Sequence, residues 1–196
     1  MMQIPIASES DWIGRVAAAL KDGAIPDSPA ALQALRSRLV PLAWAKGCPH
    51  ADAFAVDGDS GRFRRHPLDV TAVPGCSALV MYWPPGYSTL PHDHAGLWGI
   101  ELVIDGVLQI DEFIRVDNPV RPALTLARSL YLGLGDAAVF SGDAYVHRCR
   151  NLSTTRAALS LHVYGGSLDA YNAFHADVSG GYHVRSEIAR NDFVLS

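Results

Sequence analysis

Two textures of hydrophobic spacing divide the chain. Between residues 8 and 46 apolar positions recur every three or four residues: Trp12, Ile13, Val16, Ala19 and Leu20 make one stripe, and Leu32, Leu35 and Leu39 another. That is the spacing of amphipathic helices. Ser8 or Ser10 can cap the first and Gly23 can stop it; Asp27 or Ser28 can open the second with Pro29 in its first turn, and Pro41 should end or kink it. Leu42 to Lys46 can add a further turn, and 47–61 reads as loop with room for a short helix. From Arg62 the period falls to two. Short runs rich in Val, Leu, Ile, Thr and aromatics, parted by Gly, Pro or Asp-Gly, predict strands at 62–71, 77–84, 97–104, 107–116, 124–132, 137–140, 144–151 and 156–164. Asp105-Gly106 between two of them predicts a hairpin. After Gly165 the chain is Gly-rich and aromatic up to Tyr182, which reads as ordered loop with a short helix near Asp169 to Phe174.

Eight short strands at such spacing favour a sandwich or barrel over a parallel α/β sheet. The expectation is an all-β fold with the N-terminal helices packed outside it. At 196 residues the chain suits one domain (1–60 helical, 61–166 barrel, 167–196 a C-terminal extension) and can bury a core without disulfides. A composition 49% hydrophobic and 18% charged is that of a globular protein, and a formal charge of -4 gives no electrostatic reason to expect nucleic acid or an anionic membrane. No apolar run approaches the roughly 18 residues of a membrane span. The opening MMQIPIASES lacks the order of a signal peptide, so a soluble, cytoplasmic protein is expected. Cys48, Cys76 and Cys149, an odd set without CxxC, suit a reducing compartment and read as small buried apolar residues.

Candidate chemistry starts at GYSTLPHDHAGLWGIELVIDG, residues 86–106. His92 and His94 are two apart, and alternate side chains of an extended segment share a side, so two imidazoles can share one metal. His50, His66, His175 and His183 read as surface or core residues. In ALSLHVYGG the residues Ser160, His162 and Tyr164 alternate with Leu159, Leu161 and Val163. One face thus carries a hydroxyl, an imidazole and a phenol, which can satisfy one another inside a barrel.

Gly86, five residues, His92, one residue, His94 and a closing Gly106, followed by Gly135, His147 and Asn151 in GDAAVFSGDAYVHRCRN, resemble the two motifs of the cupin superfamily. The second is looser, with Ser141 where a proline is usual and His147 one place late. The resemblance implies a double-stranded β-helix barrel with His92, His94 and His147 facing inward onto a metal. Cupins with four protein ligands carry a glutamate where this chain has Gly99. Glu101 lies two residues on, about 6–7 Å further along a regular strand, and is not expected as a fourth ligand unless a bulge moves it. Three imidazoles leave positions on an octahedral ion for a substrate and O2, and they also suit zinc or nickel.

WPPGYSTLPHDH and LHVYGGSLDAYNAF narrow the resemblance, over roughly 60–174, to the thiol dioxygenases and in particular the bacterial cysteine dioxygenases. It implies Fe(II) on His92, His94 and His147, a catalytic relay of Ser160, His162 and Tyr164, and an arginine for the substrate carboxylate on a strand before the HxH. In GRFRRHP the family's aromatic-x-Arg pattern selects Arg65, whereas an ungapped count selects Arg64 or His66. Gly99 also falls where the mammalian form has a cysteine cross-linked to the tyrosine, so Tyr164 is expected as a free phenol. Tyr171 replaces a cysteine near the site mouth, and Trp98 either narrows the pocket or packs in the core. The implied activity adds both atoms of O2 to the sulfur of a small thiol carboxylate, with L-cysteine first. Alternatives are 3-mercaptopropionate as substrate, for which related branches carry glutamine at the carboxylate position; a dioxygenase cleaving a diketone or ring, which leaves the relay without a role; and a non-enzymatic cupin that binds a metal or small acid.

Overall fold

Several strands in the middle of the chain are apolar on both faces and need cover on both sides. The computed structural model, which describes residues 9–21, 26, 28–54, 61–70, 73–116, 121–178 and 180–195, shows where that cover comes from. Two helices, α1 (Glu9–Lys21) and α2 (Pro29–Leu39), precede β1 (Arg64–Pro67), β2 (Ser77–Trp83), β3 (Gly99–Asp105), β4 (Leu108–Val116), β5 (Ala123–Leu132), β6 (Ala137–Phe140), β7 (Val146–Asn151), β8 (Ala158–Tyr164), β9 (Ala170–Ala176) and β10 (Tyr182–Ile188). One antiparallel sheet runs β1-β2-β8-β3-β6 and the other β5-β4-β7. The β9–β10 pair is attached to the second through the segment around His92, which bridges His147 of β7 and Ala173 of β9. The all-β expectation holds, with the two sheets face to face.

Pairing aligns Arg65 with Met81 and Ser160, Leu79 with His162 and Glu101, and Ser77 with Tyr164 and Gly99. This face points inward, where Leu79, Met81, Val103, Ile110 and Cys149 form the interior core. The opposite face, with Val80, Ile100, Leu102, Leu161 and Val163, packs beneath Trp12, Val16, Leu35 and Leu39 of the helices. Ser28 caps α2, its Oγ accepting from the Ala31 amide at 3.2 Å, with Pro29 in the first turn. At Pro41 the helix has passed into a 3₁₀ segment, Val40–Trp44, as the sequence suggests. The Trp12 indole donates to the Leu42 carbonyl (2.9 Å) and Arg36 Nε to the Ala137 carbonyl (3.0 Å), which fastens this layer to the sheet. Ser10 is already inside α1 rather than before it. Ser8, Gly23 and Asp27 lie outside the described residues.

Two local readings need correction. Asp105-Gly106 makes a turn, with Gly106 at φ 78°, but not a hairpin. Both edges of β3 are taken by β8 and β6, so β4 pairs with β5 and β7 and the turn carries the chain from one sheet to the other. A Cβ at Gly106 would stand 2.7 Å from that of Ala158, so the crossing also requires the missing side chain. The stretch near Asp169 to Phe174 is strand β9, not loop and helix. Its partner β10 is largely exposed, and only Ala173 and Phe174 of β9 are buried, so neither shows the apolar alternation by which a strand is recognised. Beyond them the chain returns to β1: Leu195 bridges Leu68 in parallel, and the Asp192 amide donates to the Arg65 carbonyl at 2.7 Å.

Candidate active site

Backbone pairing brings the first two histidines of the site together. The His92 amide donates to the His147 carbonyl (2.8 Å) and the His147 amide to the His92 carbonyl (3.0 Å), which sets the two Nε2 atoms 3.2 Å apart. His92 Nδ1 donates to the Leu90 carbonyl at 2.9 Å, leaving its Nε2 bare. His147 Nδ1 lies 3.4 Å from the Tyr145 hydroxyl, itself 3.4 Å from Glu112 Oε1. A carboxylate only accepts, so Tyr145 donates to Glu112 and accepts from His147 Nδ1, and His147 Nε2 is bare as well. Two lone pairs at that separation repel unless a cation lies between them. His94, buried against the Phe140 ring (centroids 4.2 Å apart), has no partner on either ring nitrogen among the described residues.

One nitrogen from each of the three histidines falls within 4.8 Å of the others. Burial, reinforced by the neighbouring imidazoles, holds His94 and His147 well below the usual imidazole range, so they are neutral, the form that ligates metal. The donor set and the orphaned His94 nitrogens fit a divalent transition metal.

The polar face of β8 forms one connected chain. Trp83 Nε1 donates to Ser160 Oγ (2.7 Å), Ser160 Oγ lies 2.8 Å from His162 Nε2, and His162 Nδ1 lies 3.0 Å from the Tyr164 hydroxyl. The indole only donates, which leaves the Ser160 proton available to His162 Nε2; in that tautomer the His162 proton sits on Nδ1 and points at the Tyr164 oxygen, and the Tyr164 proton is left for another acceptor. Trp83, which anchors the chain at Ser160, carried no sequence signal beyond its place in WPPGYSTLPHDH.

Tyr164 lines a cavity of about 260 Å³ with Arg65, Trp83, His92, Glu101 and His162. Arg65 is buried, and its Nε and Nη1 have no partner among the described residues. Asp192 fixes its backbone, accepting from the Arg65 amide at 3.0 Å while also pairing with Arg62. Arg64 points the other way, its guanidinium 4.6 Å over the Tyr82 ring, and His66 lies between Phe54 and Phe193. Of the three candidates for a carboxylate partner, only Arg65 lines the cavity.

Glu101 reaches further than a regular strand suggests. Its Oε1 is 3.5 Å from His147 Nε2 and 3.4 Å from His162 Nδ1, and Cys149 Sγ lies 3.7 Å from Oε2. Cys149, read from sequence as a small buried residue, is buried but also lines the cavity. Trp98 packs with the outer core and lies against Gly165, away from the cavity. Tyr171 lines the cavity, its ring 5.4 Å from that of His92.

A Cβ at Gly99 would meet the Phe140 ring at 2.2 Å. Gly99→Cys should therefore overpack the site, lowering stability by roughly 1–3 kcal/mol, and should not yield a thioether to Tyr164. Thermal melting and intact mass check both; loss of two hydrogens from the intact mass would contradict the second.

Burial first, then Arg65 and His92, pushes His162 down to about 3 from an ordinary 6.5. Between these values the unfolded chain binds a proton that the folded chain does not. This stability is therefore complete above pH 6.5 and is lost as pH falls toward 3, at about 1.4 kcal/mol per pH unit for each such group. His92, His94 and His147 act in the same sense. Glu101, pushed up from 4.5 to about 8 by burial, acts oppositely: its contribution is lost as pH rises from 4.5 through 8. Four imidazoles outweigh one carboxyl, so the chelator-treated protein should melt at steeply lower temperature below pH 6.5 and only mildly lower toward pH 8. Calorimetry across that range checks it, and a flat profile would contradict it.

The family described as cysteine dioxygenase type I matches residues 50–177. Among solved structures, the chain is similar to an oxalate oxidase in complex with glycolate (21% identity, TM-score 0.42, 56% of this chain and 53% of that one). It is also similar to KdgF from Halomonas sp. (18%, 0.42, 58% and 86%) and to a sugar phosphate isomerase of the cupin superfamily from Silicibacter pomeroyi (19%, 0.42, 67% and 91%). The match spans about half the length of the oxalate oxidase.

Proposed function

Because the chain belongs to the cysteine dioxygenase type I family, we propose that it is a cytoplasmic Fe(II) thiol dioxygenase that converts a small thiol carboxylate, first of all L-cysteine, to its sulfinic acid. The observation that carries this reading is the Arg65 guanidinium, buried with two donor nitrogens that have no partner among the described residues, in the cavity that His92 and Tyr164 also line. His92, His94 and His147 would hold the iron, which when bound supplies a Lewis-acidic, redox-active centre for a thiolate and O2.

Arg65 would take the substrate carboxylate through parallel hydrogen bonds, which fixes the direction of the thiol end. Phe63, Trp83, Tyr87 and Leu168 wall the cavity and limit water, and its volume suits a molecule of a few heavy atoms. Burial holds the Tyr164 phenol well above its ordinary range, so it stays protonated and donates to the ligand. His162 and Ser160 orient that proton from behind. In the overall conversion the sulfur gains both oxygen atoms of O2 and the thiol proton is released, so no further reductant is needed.

The test is metal analysis of the purified protein, then anaerobic addition of each member of a thiol panel to the iron form, followed by O2. One O2 consumed per sulfinate is expected, with L-cysteine preferred over 3-mercaptopropionate. Iron bound without sulfinate from any thiol would sink the reading and favour a binding protein.

A further inference from the structure

We propose that Glu101, His147 and Cys149 form a second metal site, overlapping the three-histidine cluster through His147, that takes a zinc-like ion. His147 and Cys149 lie two apart on one face of β7, and Glu101 approaches from β3. All three are buried, and Glu101 and Cys149 line the cavity, so the site opens where an ion and a fourth ligand can enter. With Glu101 Oε1 as the oxygen donor the three atoms form a triangle: His147 Nε2 to Glu101 Oε1 3.5 Å, Cys149 Sγ to Glu101 Oε1 4.0 Å, and Cys149 Sγ to His147 Nε2 3.9 Å. Tetrahedral zinc, with bonds of about 2.3 Å to sulfur and 2.0–2.1 Å to nitrogen or oxygen, sets such edges at about 3.4–3.6 Å. Shifts of a few tenths of an ångström close the gap.

Donor chemistry separates the two clusters. Three imidazoles discriminate weakly among divalent ions, whereas a thiolate favours the softer one. Binding displaces the thiol proton to solvent. His147 Nε2 cannot serve both ions, so a zinc-like ion on Glu101 and Cys149 takes one ligand from the three-histidine cluster and excludes its full occupancy. The inference does not depend on the dioxygenase reading.

The test is zinc K-edge absorption on the chelator-stripped, full-length chain given one equivalent of Zn²⁺. Sulfur at about 2.3 Å is expected in the wild type and in His92→Ala, and is expected to vanish in Cys149→Ser. Glu101→Gln should weaken Zn²⁺ binding by roughly tenfold or more, since even groups that only orient a ligand are worth about 10–100-fold. A wild-type shell of nitrogen and oxygen alone, a measurement that needs no variant, would overturn the proposal, as would sulfur that persists in Cys149→Ser. A protein that oxidises thiols with iron but shows no sulfur around zinc would refute this site and leave the dioxygenase reading standing. Sulfur around zinc in a protein inert toward thiols would do the reverse.

Discussion

His94→Ala should leave the protein without stoichiometric iron and cut sulfinate formation by more than about 100-fold, since even groups that only orient a ligand cost about 10–100-fold. His94 is the member of the cluster with the least other employment. Its ring stacks on Phe140 and neither nitrogen is bonded among the described residues, so its removal takes away a metal donor and little else that is polar. His92 and His147, by contrast, are tied to Leu90 and Tyr145 through their other nitrogens. His94 also lies outside the named strands, so the barrel's pairing should survive the change. Metal analysis together with O2 uptake decides the matter. His66→Ala, which removes a ring packed between Phe54 and Phe193, serves as the control that should keep its metal. Iron and activity retained in His94→Ala would remove the three-histidine centre from the mechanism.

The second large effect is selective. Arg65→Ala should lower kcat/KM for carboxylate-bearing thiols by roughly 10–150-fold, the equivalent of about 1.5–3 kcal/mol for hydrogen bonds to a charged group. A thiol amine without a carboxylate should be nearly indifferent to the change. Arg65→Lys should recover only part of the loss, because an ammonium keeps the charge but not the planar fork. Arg64→Ala, one residue away, should cost stability through the contact with Tyr82 and leave the preference among thiols as it was. An equal fall for both classes of thiol in Arg65→Ala, or a selective fall in Arg64→Ala, would remove Arg65 from carboxylate binding.

The Arg64–Arg65 choice shows where sequence reasoning ran short. Neighbouring residues of a strand face opposite sides, so a one-residue error in register exchanges cavity for outer core. The register here comes from the pairing of Arg65 with Met81 and from Asp192, far along the chain, which holds the Arg65 backbone from the other side. The same limit explains Asp105-Gly106. The local chemistry of the turn was legible, but the occupied edges of β3, which send β4 to the other sheet, were not. In β9 and β10 the backbone pairs in full register while few side chains are buried, so no hydrophobic pattern reveals them.

What the sequence determined by itself was everything that depends on short-range period. The helices follow from apolar spacing of three to four, and the strands of both sheets from alternation or unbroken apolar runs. The HxH pair and the Ser160, His162, Tyr164 face follow from a repeat of two, the superfamily resemblance from the two motif blocks, and the family resemblance from WPPGYSTLPHDH and LHVYGGSLDAYNAF. Tertiary structure decided what depends on residues distant in the chain: which arginine lines the cavity, why Phe140 leaves no room for a side chain at Gly99, and how Glu101 comes to lie against His147 and Cys149. Periodicity assigns a side chain to a face, but only packing of one sheet on the other assigns it a neighbour.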